Sequence, residues 1–89
     1  MTAKYTNVQV LAVAEEFKSR LTKQSITDIE FISAVIAMHN SGRIDESDAG
    51  KILLHAYAGD VNCMKTKLLQ ASLQLNDEMI LEIQRKATH

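Results

Sequence analysis

Apolar residues recur along this chain at intervals of three and four, the period of a helix seen from one side, and each such stretch opens on similar punctuation. Thr6–Gln9, Thr27–Glu30, Asp45–Asp48 and Asn76 each stand just ahead of an apolar-periodic stretch, and Asp60 stands ahead of another. A Ser, Thr, Asp or Asn side chain there can accept a hydrogen bond from a free N–H of the first turn, so these positions read as helix starts. Three starts also carry an apolar residue that can clamp one inside the helix: Tyr5 with Val10, Ile26 with Phe31 and Leu75 with Ile80. Such a staple fixes the angle at which the chain enters the helix.

The first helix is expected from Asn7 to Lys23, with Val10, Ala14, Phe17 and Leu21 on one face and a Glu16–Arg20 pair four apart on another. The second is expected from Asp28 to Asn40. Ile29, Ile32, Val35 and Ile36 form its stripe, and Phe31, Ala34, Ala37 and Met38 cover much of the rest. A helix apolar nearly all round is normally the buried one, which makes this the expected centre of the bundle. Its stop is Asn40–Ser41–Gly42, where glycine can take the left-handed conformation.

The third helix is expected from Glu46 to Ala58, capped by Asp45, with Ala49, Ile52, Leu53 and Ala56 inward and Gly59 as its stop. Gly50, near its start, reads as a place where a neighbouring helix comes close. The fourth runs from Val61 to Gln74, with Val61, Met64, Leu68, Ala71 and Leu75 in a near-heptad. The fifth runs from Asp77 to Lys86, with Met79, Ile80 and Ile83 inward, and the start signal at Leu75–Asn76–Asp77–Glu78 argues for a break between the two. The connections are short and contain no proline, so consecutive helices should lie nearly antiparallel. The predicted fold is all-α: a compact bundle of about five short helices in a single domain, residues 1–89.

At 89 residues there is room for one core. Apolar content of 46% excludes a disordered chain, but the only aromatics are Tyr5, Phe17, Phe31 and Tyr57, so the core is aliphatic. Aliphatic cores of this size give modest stability, which favours sharing apolar surface with a partner or with a second copy.

The net charge of −1 argues against nucleic acid as a partner, since such proteins carry a basic face to displace counterions from phosphates. Lys65 and Lys67 lie in the acid-free stretch Val61–Leu75, which reads as a solvated helix face. The lone Cys63 allows no internal disulfide and fits a reducing, cytoplasmic compartment. Lys4 followed by Val8–Ala14 imitates a secretory signal, but Gln9 interrupts it and Glu15–Glu16 follow, so it reads as a helix start. The longest uncharged apolar stretch, Phe31–Asn40, is well short of a membrane span.

Candidate chemistry is thin. Asp45-Glu46-Ser47-Asp48-Ala49-Gly50 resembles a calcium loop, yet aligning Gly50 with the turn puts Ala49 and Ala56 at ligand positions, and the helix-cap reading is stronger. His39, His55 and Cys63 lack metal-motif spacing. Cys63 falls in the first turn of its helix, where the dipole lowers a thiol pKa, but no oxyanion or phosphate loop accompanies it. Neither a metal, a cofactor nor catalysis is expected. The helix pair joined by Ser41–Ile44 invites a helix-turn-helix reading, but the second helix begins Glu46-Ser47-Asp48, which would turn negative charge toward phosphate.

What remains is an apolar surplus. Leu11, Val13, Leu54, Leu69, Leu73 and Leu81 fall outside the main stripes. Leu69 and Leu73 are four apart and Leu81 extends their patch, so these three are the candidate protein interface; the competing use is to complete the core.

The stretch Ser25–Asp60, SITDIEFISAVIAMHNSGRIDESDAGKILLHAYAGD, resembles the small cytoplasmic lysis-inhibition accessory proteins of T-even phages, in texture and size rather than in a motif. The resemblance implies a non-enzymatic helical protein of the infected cell's cytoplasm, acting with holin and antiholin to delay lysis by contacting the cytosolic segment of the holin. No functional residue is carried over from it. The expected function is binding another protein through an apolar helix face, as a regulator. The runner-up is a dimeric helical regulator of transcription or nucleic acid, which a clustered Lys/Arg surface would favour. A small enzyme would need a polar pocket around Cys63 or the histidines.

Overall fold

In the computed structural model, residues 4–75 are described, with side chains through residue 73. They form four α-helices and no strand: α1 (Asn7–Thr22), α2 (Asp28–Asn40), α3 (Glu46–Ala56) and α4 (Val61–Leu75). The expected fifth helix at Asp77–Lys86, its residues Met79, Ile80, Leu81 and Ile83, and its continuity with α4 all lie outside the described residues.

Reciprocal capping starts the first three helices. Thr6 Oγ1 accepts from the Gln9 N–H at 3.2 Å while Gln9 Oε1 accepts from the Thr6 N–H at 2.9 Å. Thr27 and Glu30 repeat this at 3.1 and 3.0 Å, and Asp45 and Asp48 at 2.8 and 3.3 Å. Each box satisfies two backbone donors that have no partner within the helix. At α4 the Asp60 carboxylate accepts from the Cys63 N–H at 3.0 Å.

The first three helices end in paired turn bonds, 6→1 and 5→2, around one left-handed residue. After α2 that residue is Gly42 (φ 81°), with Arg43 N–H donating to Met38 and Gly42 N–H to His39. After α1 it is Gln24 (φ 58°) and after α3 it is Ala58 (φ 57°). This corrects the expected end of α3. The helix stops at Ala56, and the first left-handed position falls on Ala58, with Gly59 (φ 77°) following it.

The core draws on all four helices: Val10 and Ala14; Phe31, Ile32, Val35 and Ile36; Ala49, Ile52, Leu53 and Ala56; Met64, Leu68 and Ala71. Ile44, just before α3, is buried with them. Tyr5 and Ile26 pack against this core.

Two expectations change. Both α2 and α3 pack on all three other helices, and the most extensive pairing is α1 with α3, so α2 is not the sole centre. Ala37 is exposed and Ala34 and Met38 only half-buried, which leaves one side of α2 open. A Cβ built on Gly50 meets open space, so no close approach of another helix requires glycine there. Among the described residues no helix is long and apolar enough to cross a membrane.

Candidate protein interface

Helix α4 is held from its inner side. Met64, Leu68 and Ala71 are buried in the core. Lys67 Nζ lies 3.1 Å from Asp28 Oδ2 in the first turn of α2, and Tyr57, just past α3, donates its hydroxyl to Asp28 Oδ1 at 2.7 Å. One carboxylate therefore ties α2, α4 and the end of α3 together. Burial, and then the Asp28 carboxylate, push the Tyr57 phenol well above its ordinary pKa, so it stays a donor. The Tyr57 ring meets Phe31 at 5.8 Å between centroids, and Phe31 meets Phe17 at 4.9 Å, so three of the four aromatics form one file.

The outer side of α4 has a different composition. Its exposed residues, among those with described side chains, are Val61, Asn62, Thr66, Leu69, Gln70 and Leu73, and none is charged. Lys65 and Lys67 are half-buried on the flanks, which corrects the reading of these lysines as a solvated face. By contrast α1 exposes Glu15, Glu16 and Arg20, the last two paired at 2.9 Å. Leu69 is 58% exposed and Leu73 is 82% exposed. Neither completes the core among the described residues. At 100° per residue they project from the side of α4 away from Met64, Leu68 and Ala71. Leu73 also borders a depression of about 340 Å³ with Thr27, Asp28, Ile29, Lys67 and Gln70, whose apolar part comes from Leu73 and Ile29. Leu81, the third candidate interface residue, lies outside the described residues.

The remaining surplus apolar residues divide. Val13 and Leu54 pack against the core, while Leu11 is 56% exposed on α1 beside a shallow groove with Asp48, Lys51 and His55.

The other candidate groups are dispersed. His55 Nε2 is 2.8 Å from Glu15 Oε1, a link between α3 and α1. His39 sits at the end of α2 with Nδ1 buried and without a hydrogen-bond partner among the described residues. Cys63 is half-buried and borders a depression of about 520 Å³ whose lining mixes apolar Leu21 and Ile26 with Thr22, Gln24, Thr27, Asp28, Tyr57 and Lys67. No histidine lines it, and Asp28 is already engaged by Tyr57 and Lys67. Among the described residues, no three His, Cys, Asp or Glu are grouped to hold a metal ion.

A second set of contacts was not legible in the sequence. Lys4 Nζ bonds Asp45 at 2.7 Å, and Arg43 donates to the Tyr5 hydroxyl at 3.0 Å and lies 5.8 Å from its ring centroid. The Tyr5 N–H also donates to the Arg43 carbonyl at 2.7 Å. The N-terminal segment is thereby strapped to the connection between α2 and α3. The only signal in the sequence was the complementary charge of Lys4 and Asp45, residues far apart in the chain.

No family model matches this chain, and no curated protein or solved structure matches it.

Proposed function

We propose that this protein is a non-enzymatic regulator that binds another protein through the outer face of α4, with Leu69 and Leu73 as the apolar contacts. The observation that carries the reading is the pair itself: two leucines four apart, 58% and 82% exposed, on a side of α4 whose exposed residues carry no charge, the half-buried Lys65 and Lys67 lying on its flanks. An apolar ridge costs solubility when left bare and contributes affinity when covered, because water is released from its surface. The depression lined by Ile29 and Leu73 offers a partner side chain a place to seat. The resemblance of Ser25–Asp60 supplies the biological setting of this proposal: a phage-encoded protein of the host cytoplasm, delaying lysis by holding the cytosolic segment of a holin.

Titration of the isotope-labelled chain with a synthetic peptide of such a holin segment tests the proposal. The amide signals of Leu69 and Leu73 should move, and Leu69→Lys/Leu73→Lys should weaken binding at least tenfold, equivalent to about 1.4 kcal/mol. Binding of equal strength by the double variant would reject this face, and no binding at all would reject the holin segment as partner.

A further inference from the structure

We infer that the groove between α1 and α3 binds a small zwitterion, an aliphatic α-amino acid. The inference stands apart from the α4 face, since neither Leu69 nor Leu73 lines this groove.

Two helix sides make the groove. Asn7, Val10, Leu11 and Ala14 line it from α1, and Asp48, Lys51 and His55 line it from α3. The spacings within each set are those of neighbours on one side of a helix. The two helices run the same way here. Lys4, just ahead of α1, meets Asp45 and Asp48 at the start of α3, while Glu15, midway along α1, meets His55 near the end of α3. The space is about 180 Å³. Pockets that take drug-sized molecules hold roughly 300–1,000 Å³, so an occupant of this groove is small.

One charge of the groove is built into the body of the domain. Asp48 is 6% exposed, the one buried polar residue among those described. Its Oδ2 accepts from the Asp45 N–H at 3.3 Å and lies 3.9 Å from Lys4 Nζ, which is nearer to Asp45 at 2.7 Å. An ionised carboxylate accepts several hydrogen bonds, and a buried one with partners this distant gains from a further charged donor. The second charge stands three residues on. Lys51 is exposed and has neither a hydrogen bond nor an ion pair among the described residues. Residues three apart on a helix are within reach of one another, yet these two opposite charges line the same groove unpaired.

That arrangement selects the ligand. A simple cation drawn to Asp48 would meet Lys51, and a simple anion drawn to Lys51 would meet Asp48. The neighbouring charges are engaged, His55 with Glu15 at 2.8 Å and Lys4 with Asp45. A molecule that carries an ammonium and a carboxylate on one carbon answers both: the ammonium donates to Asp48 and the carboxylate accepts from Lys51. The amide of Asn7, exposed at the same groove, can accept from the one or donate to the other. The rest of the lining is aliphatic, with Val10 and Ala14 buried and Leu11 exposed, which suits an aliphatic side chain.

Titration of the isotope-labelled full chain with L-leucine tests this, beside isoamylamine, which lacks the carboxylate, and isocaproate, which lacks the ammonium. Leucine should move the amide signals of Leu11, Asp48 and Lys51 saturably, with a dissociation constant of about 1 mM, and the two analogues should bind at least tenfold more weakly. Lys51→Gln and Asp48→Asn should each weaken leucine about tenfold, the asparagine keeping an acceptor for the Asp45 N–H. If Asp48→Asn fails to fold, Lys51→Gln decides alone, because it changes an exposed side chain. No saturable shift up to about 20 mM leucine overturns the inference. Equal binding of either analogue overturns the zwitterion. Undiminished binding by Lys51→Gln, or equal shifts at Leu69 and Leu73, overturns the placement in this groove.

Discussion

The Tyr57 hydroxyl donates to Asp28 Oδ1 at 2.7 Å and so joins the end of α3 to the first turn of α2. Asp28 also holds Lys67 of α4 at 3.1 Å. Removing the carboxylate should therefore cost more than removing either partner. Asp28→Ala is expected to destabilise the domain by about 2 kcal/mol and Tyr57→Phe by about 1 kcal/mol, read from urea midpoints. Equal midpoints for wild type and Asp28→Ala would show that the clamp contributes nothing net. Because the folded phenol pKa is raised, its contribution is complete below about pH 10, the unfolded value, and is lost as pH rises beyond it. Tyr57→Phe should lose less stability at alkaline pH than the wild type does.

Acid should reveal the strap at the other end of the bundle. The Lys4 ammonium, together with the Asp48 N–H, lowers Asp45 to about 2. The Thr27 N–H likewise holds Glu30 below its ordinary value. A depressed carboxylate contributes stability above its unfolded pKa, about 3.9 for Asp, and loses it as pH falls toward the folded value. Melting temperature should therefore drop between about pH 4 and pH 2, and the drop should be shallower in Asp45→Asn. An identical pH profile in that variant would remove Asp45 from the account.

Two substitutions at helix ends and interiors should stabilise. Ala58 holds a left-handed conformation (φ 57°) that costs a residue with a Cβ about 1 kcal/mol, so Ala58→Gly should raise stability by about 0.5–1 kcal/mol. Gly50 sits inside α3 with open space at its Cβ, so Gly50→Ala should raise it by a similar amount, about 0.5–1 kcal/mol. Thermal melts of the two variants decide this. A lower melting temperature for Gly50→Ala would mean that glycine is needed there after all.

These two sites also show where sequence reading ran out. Helix starts were legible because Thr6, Thr27, Asp45 and Asp60 act on residues three positions away. Helix ends were less so: Gly42 is the left-handed residue after α2, but next to Gly59 that place is taken first by Ala58, and at Gln24 no glycine marks it. Gly50 misled because smallness reads equally well as close packing or as mere tolerance. Asp28, Ile44 and Lys4 gained their roles from residues distant in the chain, which periodicity cannot report. Leu69 and Leu73 stood out in the sequence as surplus, but only the placement of Met64, Leu68 and Ala71 shows which side of α4 they occupy.

The central claim is that the Leu69–Leu73 ridge is surface kept for an interface. The urea midpoint of Leu69→Lys/Leu73→Lys, measured at a dilution where the chain is monomeric, tests it most directly. Lysine retains helix propensity, and on an exposed ridge its charge stays in water. The expected result is a cooperative transition within about 0.5 kcal/mol of wild type. Loss of the cooperative transition, or a cost of several kcal/mol as for charge forced into a core, would contradict it and place the ridge inside the fold.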